Sequence, residues 1–211
     1  MEKLSVLLSL VILVTLGCSN KSEVTTNYED GSVQERFSIN TDSLKHGLFT
    51  SYRPTGELAE TANYENGILE GERKLIYENG KVEIEEHYIN DKLHGKYKTF
   101  YPSGKLELEM NYQNGIIEGK SVKYYESGNL MEEVTFENNE EQGPFVEYHE
   151  NGNKKWEGSY LKGENEVGLL LNYDQDGTLV KKMICDSMSI CQTIWTLEKG
   201  DISPDKLFDK E

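Results

Sequence analysis

Three sets of residues in this 211-residue chain are of types that can do chemistry: three cysteines, four histidines and a recurrent series of glutamates. Cys185 and Cys191 are close enough in sequence to be read in two ways. In an exported protein they would form a disulfide closing a short C-terminal loop; otherwise they would be two buried reduced thiols held apart by their strands. The histidines are His46, His87, His94 and His149. His46 and His94 share one repeat position two units apart, roughly 20 Å at sheet spacing, which is too far to share a metal. No Cys-x-x-Cys, His-x-x-x-His, Gly-x-Gly-x-x-Gly or Gly-x-Ser-x-Gly spacing occurs. No enzyme activity, cofactor or metal is therefore expected. Glu85, Glu109, Glu133 and Glu157 recur at one position in four consecutive units. At roughly 10 Å spacing they would repel weakly and share no proton, so they are not an acid–base pair. They read either as a solvated face that keeps a sheet from aggregating or as a docking stripe for a basic partner. Lys74, Lys98 and Lys123 are candidates to neutralise part of the stripe.

The elements that must position these residues are set by glycine. Gly47, Gly71, Gly95, Gly119, Gly143 and Gly168 each begin a unit, and Gly56, Gly80, Gly104, Gly128, Gly152 and Gly177 follow nine residues after them. The period is 24, slipping once to 25. Five residues after the first glycine comes Tyr52, Ile76, Phe100, Tyr124, Tyr148 or Tyr173; eight after the second comes Tyr64, Tyr88, Tyr112, Phe136, Tyr160 or Cys185. The stretch Lys105–Tyr112 alternates apolar and polar with period two, the mark of a strand covered on one face. Tyr101-Pro102-Ser103-Gly104 before it is a turn, and Asn114-Gly115 after it suits a two-residue hairpin turn with positive φ. Asn66-Gly67 repeats that signal; Asn90-Asp91 and Asn138-Asn139 are variants of it. The pattern predicts an all-β fold, an elongated single-layer antiparallel sheet of tandem β-hairpin repeats. A half repeat occupies 28–46 and the array ends near 196, leaving a tail over 197–211 with a possible short helix at Ser203–Lys210. Two strands per unit give roughly 10 Å per repeat and a ribbon on the order of 60 Å long. The recurrent aromatics are expected to hold neighbouring hairpins together, with a continuous aromatic ligand groove as the alternative.

Leu4 to Leu16 is an unbroken apolar or hydroxyl run, too short to cross a bilayer as a helix, which needs about 20 residues. It fits the apolar region of a signal peptide over residues 1–17. Its ending, Thr15-Leu16-Gly17-Cys18, resembles the lipobox of bacterial lipoproteins, which implies acylation of Cys18 and a lipid anchor in the bacterial cell envelope. The alternative is an ordinary signal peptide with an incidental cysteine. Residues 18–27 are polar and small and are expected to form a tether. A net charge of −16 repels phosphate backbones and anionic headgroups, excluding nucleic acid and direct lipid-surface binding. Membrane attachment would then depend on the lipid.

Units such as Gly95-Lys-Tyr-Lys-Thr-Phe-Tyr-Pro-Ser-Gly-Lys-Leu-Glu-Leu-Glu resemble the bacterial variant of the MORN repeat, and more narrowly the proteins grouped as YwqK-type antitoxins. The resemblance covers about residues 28–185 and implies a binding role without catalytic residues. The expected function is a non-enzymatic, envelope-anchored interaction module or scaffold with a protein partner. The alternative is an antitoxin- or immunity-like protein that neutralises a cationic toxin through its acidic face.

Overall fold

The computed structural model describes residues 21–202. Every element among them is a strand, and every ladder is antiparallel between strands adjacent or nearly adjacent in sequence. The chain divides into two compact units, one of residues up to Gly95 with Pro102–Gly104 and one of the remainder. The first holds β1 (Ser22–Asn27), β2 (Val33–Ile39), β3 (Lys45–Tyr52), β4 (Leu58–Glu65), β5 (Ile68–Ile76), β6 (Val82–Ile89) and β7 (Lys92–Leu93). The second holds β8 (Gly95–Phe100, but for its first residue), β9 (Leu106–Gln113), β10 (Ile116–Ile117), β11 (Gly119–Tyr124), β12 (Leu130–Glu137) and β13 (Glu140–Glu141). It continues through β14 (Gly143–Tyr148), β15 (Lys154–Tyr160), β16 (Glu166–Tyr173), β17 (Leu179–Cys185), β18 (Cys191–Thr196) and β19 (Gly200–Asp201).

Each glycine beat brackets one hairpin, so the all-β reading with tandem hairpins holds. Asn114 and Gly115 have φ of 54° and 85°, the pair of left-handed residues that a type I′ turn requires. Asn90-Asp91 reaches the same conformation at 51° and 61°, because a short polar side chain tolerates the left-handed region. The single slip of the period falls in the turn between β15 and β16. Tyr160 pairs with Glu166 across five residues there, whereas Tyr64 pairs with Leu69 across four.

Two details depart from simple alternation. The ladder slips at one point in five of the hairpins, between Ser51/Tyr52, Leu75/Ile76, Lys123/Tyr124, Glu147/Tyr148 and Asn172/Tyr173. Ala59, Glu83, Met131, Lys155 and Val180 are the residues left without one opposite, and a bulge of this kind sharpens the local twist. The segment expected to be a tether is, from Ser22 to Asn27, strand β1: it pairs with β2 and buries Val24. Three consecutive residues of β propensity (Val24, Thr25, Thr26) and one buried methyl-bearing face outweigh its polar composition. In the expected tail, Gly200–Asp201 returns as β19 against β18. Residues 1–20, including Cys18 and the signal segment, and the expected helix at 203–210 lie outside the described residues.

The core of each unit is a row of facing pairs. Phe49 faces Ala62, Arg73 faces Glu86, Ser121 faces Val134, Phe145 faces Gly158, and Leu170 faces Met183. Large meets small across most rungs, because a single sheet face gives each rung a limited depth to fill. The aromatic eight residues after the second glycine closes over the row. Tyr64 meets Phe49 edge-on at 5.9 Å, Tyr112 meets Tyr97 at 5.7 Å, and Tyr160 stacks on Phe145 at 4.2 Å. The recurrent aromatics are therefore packing groups, as the repeat pattern implied.

Candidate interaction face

The glutamate series lies on the face opposite the core row. In the second unit the registers run Glu109–Val122–Glu133–Val146–Glu157–Leu171–Lys182 across successive strands. Glu109, Glu133 and Glu157 are thus two strands apart on one line, roughly 10 Å. In the first unit Glu85 stands opposite Lys74. Their side chains are not freely solvated: Glu109, Glu133 and Glu157 are 28%, 29% and 26% exposed.

Each of these three carboxylates has internal partners. Lys96 binds Glu109 at 2.6 Å with Lys98 at 4.0 Å, Lys120 binds Glu133, and Lys154 binds Glu157 at 2.5 Å. The Tyr173 hydroxyl, from the next repeat, donates to Glu157 Oε1 at 2.5 Å. The Lys154 and Tyr173 hydrogen bonds hold the Glu157 carboxyl below its usual range, while burial and that same bond push the Tyr173 hydroxyl up to about 12. The lysines expected to neutralise the stripe are only partly the ones that do: Lys74 pairs with Glu72, and Lys123 stands opposite Glu132 on the core face. The residue directly after the first glycine, filled by Lys96 and Lys120, supplies the stronger contacts. At that same position Leu48 in the first unit and Leu169 in the second are 58% and 50% exposed. Leu169, Leu171, Pro144 and Val146 line a shallow groove of about 260 Å³ beside Glu157.

The core face holds an ion network that the sequence pattern did not reveal. Arg73 occupies a core position, and its Nε and Nη1 reach Glu60 at 2.7 Å and Glu86 at 2.8 Å. The Tyr88 hydroxyl donates to Glu86 at 3.1 Å, and Glu86 is only 8% exposed. Burial pulls the guanidinium down, but the hydrogen bonds and charges of both glutamates outweigh it and raise Arg73 further above its usual value. A different tension sits in the second unit, where Glu132 and Glu147 face each other across β12 and β14. Burial, then the Glu147 charge, raise Glu132. Burial and the surrounding glutamates also raise Tyr160.

A second repeat-to-repeat contact runs along the turns. The residue six after the first glycine donates to the carbonyl of the residue five after the next first glycine. Arg53 bonds Ile76, Tyr101 bonds Tyr124, Tyr125 bonds Tyr148, and His149 bonds Tyr173, at 2.6–2.9 Å. Asn129 and Asn153 tie turn to turn likewise, to the carbonyls of Glu150 and Gln175. The signal was in the sequence as a second aromatic column, Tyr77, Tyr101 and Tyr125, beside the one that the glycine beat picked out.

Cys185 and Cys191 are joined as a disulfide between facing residues of β17 and β18. Among the described residues the one grouping of metal-ligand types is Glu166 with these two cysteines, and sulfurs bonded to each other lack the thiolate that binds metal. No helix among the described residues is long and apolar enough to cross a membrane.

The fold and these contacts define a tandem β-hairpin repeat protein whose neighbouring repeats are fastened at their faces and turns. Residues 45–66, 69–90, 93–114 and 117–138 match the MORN repeat variant, so four tandem units of the chain are similar to that repeat. The match points to a repeat-based interaction module, of a kind that is generally non-catalytic. No curated protein matches the chain.

Proposed function

We propose that the chain is a non-enzymatic protein-interaction module, lipid-anchored at Cys18 in a bacterial cell envelope. The observation that carries the interaction reading is the exposure of Leu169 on the face of the glutamate row in the second unit, with Leu48 exposed at the equivalent repeat position of the first. Leu169 adjoins the groove lined by Leu171, Pro144 and Val146, and a contiguous apolar surface of this kind is what a protein partner would bury. The rest of that row is occupied by its own ion pairs, which favours a partner that meets the apolar groove over one drawn by free carboxylates. The neutralising reading needs acidic groups available to a cationic toxin, and Glu109, Glu133 and Glu157 are committed to lysines.

The test is capture from a native envelope extract by the mature chain, comparing wild type with Leu48→Asp/Leu169→Asp and with reversal of Glu85, Glu109, Glu133 and Glu157. A protein held by wild type and lost by the leucine variant supports the module. Equal recovery by wild type and leucine variant, or none by either, overturns it. Loss only on charge reversal, with steep salt sensitivity, returns the toxin-neutralising alternative. For the anchor, Cys18→Ser is expected to move the protein from the membrane to the soluble fraction, and a variant that stays membrane-bound removes the lipid.

A further inference from the structure

The C-terminal end of the array is built differently from the units before it. In five units the position eight residues after the second glycine is aromatic (Tyr64, Tyr88, Tyr112, Phe136, Tyr160), and the rings of Tyr64, Tyr112 and Tyr160 pack on the aromatic side chain of their own core rung. The sixth unit has Cys185 there, buried at 5% exposure among Val134, Phe145 and Leu170, with Cys191 packed against the same cluster. The strand that follows, β18, has no glycine pair of its own. It is held to β17 by the ladder, by a turn in which the Asp186 carboxylate accepts the Met188 and Ile190 N–H groups at 2.9 Å, and by the disulfide. The turn series of donors also stops here: the equivalent position is Asp174, whose carboxylate accepts from Asp176 and Thr178 in its own turn.

We infer that β18 and β19 are a stapled cap, and that the Cys185–Cys191 disulfide makes this cap sensitive to a dithiol reductant. In the oxidised chain the bond supplies what the missing ring and missing donor supply elsewhere, fastening the last strand pair among the described residues over the outer edge of β17. Reduction transfers two electrons from a dithiol. The S–S bond breaks, each cysteine sulfur gains a proton, and the reductant closes its own disulfide. Cys191 then keeps its packing and its turn but loses the covalent closure, on a ladder that slips between Lys182 and Met183, so β18–β19 loosen while the ring-covered repeats stay folded. The β17 edge and the Leu170 rung are uncovered as a result.

The measurement is amide hydrogen exchange on the full mature chain, oxidised and fully reduced with dithiothreitol, with reduction verified by alkylation. Protection over 191–201 is expected to fall at least about tenfold on reduction while that over 58–160 stays unchanged. Unchanged protection over 191–201 after complete reduction overturns the cap, and so does a loss spread evenly over all repeats. The Cys185→Val/Cys191→Val variant separates bond from bulk. It is expected to exchange like the reduced chain; if it is as protected as the oxidised one, apolar filling and not the staple holds the cap, and no redox sensitivity exists.

Discussion

The Tyr125 hydroxyl donates to the main-chain carbonyl of Tyr148 at 2.7 Å, tying the turn of one repeat to the first strand of the next. Tyr101 makes the same bond to Tyr124, and where tyrosine is replaced, Arg53 and His149 bring a nitrogen donor to the same place. What recurs is the donated hydrogen, not the residue type. A hairpin on its own is marginal, and contacts of this kind turn a row of hairpins into a cooperative array.

Removing one such bond isolates its worth. Tyr125→Phe keeps the ring and deletes the donor, and is expected to cost about 1 kcal/mol of unfolding free energy, measured by urea denaturation. Tyr124→Phe, one residue earlier, is the comparison: its hydroxyl is not the donor of this series. If the two variants lose the same stability, the bond is not what fastens the repeats.

Gly158 is a glycine for want of room. A methyl group on it would sit 2.2 Å from Leu170 Cδ2 and 2.8 Å from Phe145 Cε1, the largest fully buried side chains of the described core. Its backbone is not in the left-handed region, so the effect of substitution is steric. Gly158→Ala is expected to lower stability by about 1–3 kcal/mol through overpacking. Adding Leu170→Val should recover part of the loss; calorimetry showing no recovery would mean that the clash is not at Leu170.

How much of this was readable beforehand depends on whether a feature repeats. Gly104 and Asn114-Gly115 announce turns because their backbone conformation excludes most other residues, so strand boundaries follow from the glycine beat. Glu109, Glu133 and Glu157 fell on one line for the same reason. Lys96 and Lys120 as their partners were not legible, because pairing across strands depends on the bulge, and a one-residue slip changes which side chains stand together. Arg73 was invisible for the opposite reason: it occurs once. In a position filled elsewhere by Phe49, Phe145 and Leu170, a lone charged residue looks like an exception until Glu60 and Glu86 are seen around it. Strand β1 was missed because Ser22–Asn27 lacks glycine and large apolar groups, and only its pairing with β2 makes it a strand.

The Arg73 network makes a sharp demand on its members. Arg73→Met leaves Glu86, 8% exposed, without its guanidinium, and is expected to destabilise by about 3 kcal/mol. The double variant Arg73→Met/Glu86→Leu removes the stranded charge as well and should recover most of that loss, since apolar replacement of a buried pair is often neutral. A double variant no more stable than Arg73→Met alone would show that the network's value lies in the Glu60 bond.

Glu132 and Glu157 should give the protein opposite responses to pH. Glu157 is held below its unfolded value of 4.5 by Lys154 and Tyr173, so its contribution to stability is present above about pH 4.5 and is lost as pH falls through the lower folded value. Glu132 is raised above 4.5 by burial and by Glu147 directly across the sheet, so its contribution is fully present below 4.5 and is lost as pH rises through the higher folded value. Glu132→Gln is therefore expected to stabilise the protein at pH 7, by about 0.2–1 kcal/mol from relief of the facing like charges, and to do nothing at pH 4. Glu157→Gln should do the reverse in sign, destabilising at pH 7 with a deficit that shrinks as the pH is lowered past 4.5. Both follow from urea titrations at pH 4, 5.5 and 7. If Glu132→Gln destabilises at neutral pH, then Lys123 and Lys155, which lie within electrostatic reach and pull Glu132 the other way, outweigh Glu147.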